Sequence, residues 1–435
     1  MTDDAPRVVI LGAGLAGLSA SLHLRRAGVA HRIVERAAHP GGLATTTEEI
    51  GYRFDHTGHL LHLRDPAMRE LALSLLPTGS FLEIDRKSVV YSHGVYTRYP
   101  FQANTFGLPP EVIYECVLGF VKASSTKPET PPRNFEEFCL AHFGEGISRH
   151  FMIPYNSRLW GVHPRDITAE WCARFVPLPK LEDVIAGAVD HTTRELGYNT
   201  RFLYPRLGMG AFAEALAERA LPVETSTAPK AISTRARTLT WEDGSATPYS
   251  ELISSIPLPR LVELFDDAPS EVVSAAKSLR ATSLYYLDVA LNTPAGKPYH
   301  WVYVPEAKYP FYRVGCYSNF SAAMAPPGKG SLYIELVDRS PPDLPRLLPV
   351  VADALVEMGW IRAREAIRFA RARFIEHAYV IFDDAHTPSV ELIHDFLSKV
   401  GITSVGRYGV WGYSSMEDAL IGGRTAAAKV IGQAP

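Results

Sequence analysis

A four-residue apolar run, Val8-Val9-Ile10-Leu11, leads directly into Gly12-Ala13-Gly14-Leu15-Ala16-Gly17. No other feature constrains the chain as tightly. A short run rich in β-branched residues reads as a buried strand. Residues 15–26 have helical composition and stop before Gly28, and residues 31–35 read as the next strand, ending on Glu35. The glycines therefore occupy the turn of a βαβ unit, the context that a dinucleotide fingerprint needs. Gly12 permits the tight bend, Gly14 lets the backbone approach a pyrophosphate at the positive end of the helix, and Gly17 allows close helix–sheet packing. Glu35 is placed to accept hydrogen bonds from a ribose diol and to repel a 2′-phosphate.

A second glycine pair, Gly41-Gly42, follows Glu35 closely and runs into Leu43 and Ala44. That suits FAD, whose ribityl chain extends past the pyrophosphate and needs backbone beside it; tightly bound NAD is the alternative. Gly406-Arg407-Tyr408-Gly409, read as opening the last helix, suits a flavin diphosphate or ribityl contact. The cofactor set is thus Gly12, Gly14, Leu15, Ala16, Gly17, Glu35 and Arg36 from the first turn. Gly42, Leu43 and Ala44 come from the second, His59 from the segment beyond it, and Arg407, Ser415 and Met416 from the C-terminal segment.

Of the 435 residues, 46% are hydrophobic and 21% charged, which excludes disorder as the main state. A net charge of −3 argues against nucleic acid as a partner. No uncharged apolar run reaches membrane-spanning length, and the acidic N-terminus lacks the pattern of a signal peptide. Cys116, Cys139, Cys172 and Cys316 are scattered, as expected of reduced thiols in a cytoplasmic enzyme. Neither these nor the pairs His56/His62 and His142/His150 show metal-site spacing, so no metal is expected. Helical stretches at 111–122, 135–143 and 181–193, separated by proline-rich breaks, form a helical insertion. Aromatic and β-branched runs at 283–291, 300–304, 311–318 and 331–337 read as an antiparallel sheet. The predicted fold is α/β. A discontinuous Rossmann-like FAD-binding domain comprises 1–95, 205–262 and 398–435. The helical insertion at 96–204 lines the nucleotide site, and a substrate domain occupies 263–397.

Several further motifs occur in one collinear order: Gly58-His59, Tyr99-Pro100-Phe101-Gln102, Pro154-Tyr155-Asn156 with Trp160, Arg174, Asn199, Trp301-Val302-Tyr303, Pro310-Phe311-Tyr312-Arg313-Val314, and 406–413. Together they resemble UDP-galactopyranose mutases of the eukaryotic-like branch, within the flavin amine oxidase and protoporphyrinogen oxidase superfamily. The resemblance implies an isomerase that interconverts pyranose and furanose forms of a UDP-sugar. In it, N5 of reduced FAD attacks the anomeric carbon while UDP leaves, and NAD(P)H is a possible external reductant.

The resemblance also assigns residues. Arg174 and Arg313 match positions that neutralise the diphosphate, and a guanidinium fork suits that task. Tyr379 and Tyr413 match hydroxyl donors to the same group. Tyr99, Phe101 and Gln102 match the uracil pocket, with Asn156 and Trp160 in its wall. Asn199, Trp301 and Tyr303 match residues along the sugar, and His59 matches a histidine beside the flavin. By composition alone Tyr99, Phe101, Trp160 and Trp301 read as core, and the resemblance is what moves them to the cleft. Three departures bear on the sugar: Gly412 where mutases commonly carry Arg, the carboxylate Glu417, and Leu60-Leu61-His62 in place of an aromatic flap. The alternatives are an FAD-dependent oxidoreductase of the protoporphyrinogen oxidase, amine oxidase or desaturase kind, and a flavin- or UDP-binding protein without turnover.

Overall fold

The computed structural model describes residues 8–126, 130–169, 176–191 and 200–432. β1 (Val8–Leu11) and β2 (His31–Val34) pair in parallel, with α1 (Leu15–Arg26) crossing between them. The other edge of β1 pairs with Glu251–Ser254, which in turn pairs with Ile402–Ser404, both in parallel. This four-stranded sheet therefore collects strands from three distant stretches of chain. Every residue of β1 is buried, as a parallel strand covered on both faces requires. α1 supplies one cover, and its residues 15–22 and Leu24 are all buried. The helix Met416–Ile431 closes over α1 so tightly that a Cβ on Gly423 would lie 2.2 Å from the Ala16 carbonyl oxygen. The Ser19 hydroxyl donates to the Leu420 carbonyl at 2.7 Å across the same contact.

The second sheet has seven strands in the order Ile367–Val380, Ala281–Leu291, Gly330–Leu336, Phe311–Cys316, Trp301–Tyr303, Ser88–Ser92 and Val95–Arg98. Its neighbours run antiparallel except for the parallel pair of Ser88–Ser92 with Trp301–Tyr303. Alternation along each strand gives the sheet two unlike faces. Leu287, Val289, Val302, Val314, Leu332 and Ile334 pack with Val351, Leu355 and Trp360 into an apolar core. The opposite face carries Trp301 and the residues Tyr286, Asp288, Tyr303, Arg313, Tyr333 and Glu335, and the register pairs Tyr286 with Glu335, Asp288 with Tyr333, and Arg313 with both Tyr303 and Glu335. That face looks toward the nucleotide-binding half.

The helices Pro110–Ser125, Phe135–Ile147, Ile153–Trp160 and Leu181–Ala188 fill the expected helical stretch. Arg158 fastens one of them to the sheet, donating to the carbonyls of Tyr309 at 2.6 Å and Phe311 at 2.7 Å. Several boundaries differ from the sequence expectation. The strands Ser88–Ser92 and Val95–Arg98, at the end of the expected nucleotide-binding stretch 1–95 and across its boundary, belong to the second sheet, because Ser88–Ser92 pairs with Trp301–Tyr303. The helix from Leu181 ends at Ala188, just before Asp190 turns left-handed at φ 56°. Gly406–Gly409 is a short helix of its own and does not open the last one. The chain breaks at Trp411, buried and left-handed at φ 50°, and the last helix restarts behind a Ser415–Asp418 capping box. Among the described residues no helix is long and apolar enough to cross a membrane.

Candidate active site

The glycine turn is built as a cradle. Gly12 sits at φ 90°, and a Cβ on Gly17 would stand 1.9 Å from the Gly12 carbonyl oxygen. Gly14 caps α1 in an extended conformation with no side-chain cap, which leaves the amides of the first turn open to an anion. One oxygen of Glu35 accepts from the Ala13 amide and the other from the Ala37 amide, each at 2.8 Å. A carboxylate so held keeps spare lone pairs for a ribose. The second glycine turn folds back onto the first: the Gly41 amide donates to the Ala13 carbonyl at 2.8 Å. A Cβ on Gly42, at φ 60°, would lie 3.3 Å from Gly14 Cα. Leu43 is half-buried, Ala44 buried and Arg36 exposed. Gly406, at φ 78°, touches the same place, since its Cβ would come within 2.8 Å of Ala16 Cβ. These features fit a bound dinucleotide: backbone closes in where side chains would obstruct it. Ser415 and Met416 open the last helix, with the Ser415 hydroxyl bound to Asp418 at 2.9 Å.

Next to this cradle lies a cluster of tyrosines around Arg313. The Arg313 guanidinium donates to Glu335 at 3.1 Å, to the Tyr155 hydroxyl at 3.1 Å and to the Tyr379 hydroxyl at 3.5 Å. It also lies 5.5 Å from the centre of the Tyr303 ring. Tyr303 stacks on Tyr99 at 5.0 Å, and Arg86 covers the Tyr99 ring at 4.9 Å. Arg407 completes the group, 4.9 Å from the Tyr413 ring and 5.8 Å from Tyr379, while donating to the carbonyls of Ser414 and Ala378. Burial pushes the Tyr379 hydroxyl up to about 12 against the pull of Arg313. It therefore stays a donor. Glu335 has no measurable exposure, and its second oxygen finds no hydrogen-bond partner among the described residues.

The structure brings Tyr99, Tyr303, Arg313, Tyr379 and Tyr413 together. Of the other expected residues, Phe101, Gln102, Asn156, Trp160 and Trp301 lie behind them. Phe101 is fully buried and stacks on Phe151 at 4.9 Å. Gln102 donates to the Pro177 carbonyl at 3.0 Å, and Asn156 donates to the carbonyl of Met152, the residue that precedes its helix, at 2.7 Å. Trp160 is buried with its edge on Tyr379 at 5.7 Å, and Trp301 packs among Phe202, His300 and Phe320. Arg174 and Asn199 lie outside the described residues. Sequence reasoning did not assign Tyr155, Glu335 or Arg86 to the site. Tyr155 belongs to a quoted motif, whereas Glu335 is legible only once the register pairs it with Arg313.

His59 is a neutral base. Burial pushes its ring down to about 4, with the charges of His56 and Arg407 acting the same way and the hydrogen bond from Nδ1 to the His56 carbonyl opposing them. Glu417 does not face the cluster. It accepts from the amides of Arg64 and Asp65, the latter at 2.7 Å, and so braces the start of the helix Pro66–Leu75. The extra carboxylate thus adds no repulsion at the cleft.

Two buried carboxyls lie deeper. Asp55 accepts from the Thr46 and Tyr204 hydroxyls at 2.6 and 2.7 Å and from the Met209 amide at 3.1 Å, and burial raises it to about 6. Asp288 pairs with Arg373 at 2.9 Å, yet burial, reinforced by the charge of Asp55, raises it to about 7. A carboxyl raised on folding binds its proton more tightly in the folded chain. Its stabilising effect is complete below the ordinary pKa of 3.8 and is lost as pH climbs through 7. Asp288→Asn should therefore gain stability relative to the native chain as pH rises from 4 to 7, by a few kcal/mol. Urea unfolding at pH 4, 5.5 and 7 measures this, and a pH-independent difference would contradict it.

The fold has counterparts among known proteins. Residues 10–75 match the NAD(P)-binding Rossmann-like domain. The solved structure of reduced UDP-galactopyranose mutase superposes with a TM-score of 0.92, at 26% identity, covering 98% of this chain and 94% of that one. Putrescine oxidase with bound putrescine shares the fold, with a TM-score of 0.67 at 16% identity over 98% of this chain and 99% of that one. Shorter stretches resemble a phytoene dehydrogenase of Streptomyces griseus, 48% identical over 58 residues, and a phytoene desaturase of Rhodobacter capsulatus, 33% identical over 94 residues. Those stretches cover 13% and 19% of this chain and only 11% and 18% of the relatives. The resemblance read from the sequence extends to the fold along the whole chain: this chain has the fold of UDP-galactopyranose mutase, with a Rossmann-like nucleotide-binding unit at residues 10–75.

Proposed function

We propose that the protein is an FAD-dependent mutase that interconverts the pyranose and furanose forms of a UDP-sugar. The observation that carries this reading is Arg313: a partly buried cation in a cage of tyrosines, set beside a dinucleotide cradle. A diphosphate leaving group calls for such a clamp, whereas an amine or hydrocarbon substrate does not.

The glycine turns, Glu35, Gly406 and Arg407 would hold the FAD. When bound and reduced, FAD supplies the nucleophile for the anomeric carbon of the sugar. Arg313 meets the charge that grows on the departing diphosphate, a task the sequence resemblance also assigns to Arg174. Tyr379 and Tyr413 donate hydroxyl hydrogen bonds to the same oxygens. The stacked pair Tyr99 and Tyr303 offers ring faces to the uracil and sugar, with Phe101, Gln102, Asn156, Trp160 and Trp301 as backing; the sequence resemblance assigns Asn199 to the sugar. His59 stays neutral, and its free ring nitrogen would accept a hydrogen bond from a donor on the bound flavin or substrate. Buried Cys116, Cys139 and Cys316 suit the reducing cytoplasm, where NAD(P)H is at hand as reductant.

The test is direct. Dithionite-reduced protein given UDP-galactofuranose should yield UDP-galactopyranose over many turnovers without consuming reductant, and oxidised protein should yield none. If no UDP-sugar is converted, the mutase reading ends. The short similarities to phytoene desaturases favour a second reading, a flavin oxidoreductase, in which substrate oxidation reduces the flavin and an electron acceptor is consumed one-for-one.

A further inference from the structure

Behind His59 runs a polar chain that the reading above leaves unused. His59 Nδ1 is hydrogen-bonded to the His56 carbonyl. A carbonyl only accepts, so the proton resides on Nδ1 and Nε2 is left as an acceptor. The segment that bears this carbonyl is tied down by tyrosines on either side of it. The neighbouring Asp55 carbonyl accepts from the Tyr317 hydroxyl at 2.6 Å. His56 Nδ1 shares a hydrogen bond with the Tyr286 hydroxyl at 2.9 Å, the two rings meeting edge-on at 6.3 Å. Tyr286 is buried on the cleft face of the second sheet, and the register places it across from Glu335 on one side and Arg373 on the other. Gly58, between the two histidines, lies so close to the Tyr333 hydroxyl that a Cβ would approach it to 2.4 Å. The loop has no room to relax in that direction.

We propose that Tyr286 and His56 form a strut from the second sheet to the 55–59 loop, which locks His59 in the tautomer protonated on Nδ1. Both are positioning residues. The locked ring presents Nε2 as an acceptor only, so its partner in the cleft must be a donor. That consequence rests on the reading of the cleft as a flavin and sugar site; the strut itself does not.

Long-range ¹H–¹⁵N NMR on the histidine-labelled full chain, with and without FAD, tests the strut. In the native protein His59 should show one neutral tautomer, protonated on Nδ1. Tyr286→Phe and His56→Val should give mixed tautomers and shift the visible absorption band of bound flavin. They should also lower kcat about five- to tenfold at unchanged KM, the worth of one lost hydrogen bond. His56→Gln, which keeps an acceptor for the Tyr286 hydroxyl, should retain the native pattern. If Tyr286→Phe does not fold, His56→Val against His56→Gln makes the same comparison. A native His59 protonated on Nε2, or variants that leave its resonances unmoved, overturns the proposal. The NMR readout requires neither sugar nor turnover. A protein that converts no UDP-sugar yet shows the locked tautomer loses the mutase reading and keeps the strut.

Discussion

Arg313→Ala should lower kcat by ~10²–10³, the usual cost of removing one donor that meets developing charge. It should also destabilise the fold by ~3–5 kcal/mol, because Glu335 stays behind as a buried charge without its counter-ion. The two losses have separate causes, and a second substitution separates them. Arg313→Ala with Glu335→Gln removes the stranded charge, so most of the stability should return while the catalytic loss remains. Urea midpoints and steady-state rates on both variants are the measurement. If activity returns along with stability, Arg313 only braces the sheet, and the diphosphate clamp must be sought elsewhere.

Gly14→Ala and Gly17→Ala should fail in opposite ways. A Cβ at Gly14 meets nothing within 4 Å among the described residues, and its φ of −72° suits alanine. The apo fold should tolerate the change with little loss of Tm. The new methyl, however, occupies the opening through which a pyrophosphate reaches the helix amides. Flavin affinity should drop at least tenfold, roughly 1.4 kcal/mol or more. At Gly17 the added carbon would stand 1.9 Å from the Gly12 carbonyl oxygen, which forces α1 off β1. Overpacking of this kind costs roughly 1–3 kcal/mol or more, before any ligand is considered. Thermal melts of apo protein and the ratio of visible to ultraviolet absorbance after FAD titration distinguish the two. Equal flavin binding by Gly14→Ala and the native chain would remove the dinucleotide from the cradle.

The contrast between these residues shows what a sequence can disclose. β1, α1, β2 and the place of Glu35 are legible because each follows from neighbours within one turn or strand. The tyrosine cluster is less so. Tyr303 and Arg313 face one another because two strands pair in one register, and no local signal fixes that register. Phe101 and Trp301 have the composition of core residues, and the structure buries both behind the cleft. The short helix at Gly406–Gly409 was hidden by Trp411, whose left-handed backbone no propensity scale anticipates for an aromatic residue. Glu417 looked like a charge added to an anion site. Only the folded chain reveals that two backbone amides already claim it.

The parallel sheet also sets a timetable for synthesis. β1 and β2 can pair as soon as they leave the ribosome, but the remaining edge of β1 must wait for Glu251–Ser254. At ~5–20 residues per second that strand arrives roughly 10–50 s later. Throughout that interval a fully apolar strand offers unpaired hydrogen-bonding groups to any passing chain. Nascent copies of this protein should therefore depend on chaperone shelter far more than their finished stability would suggest.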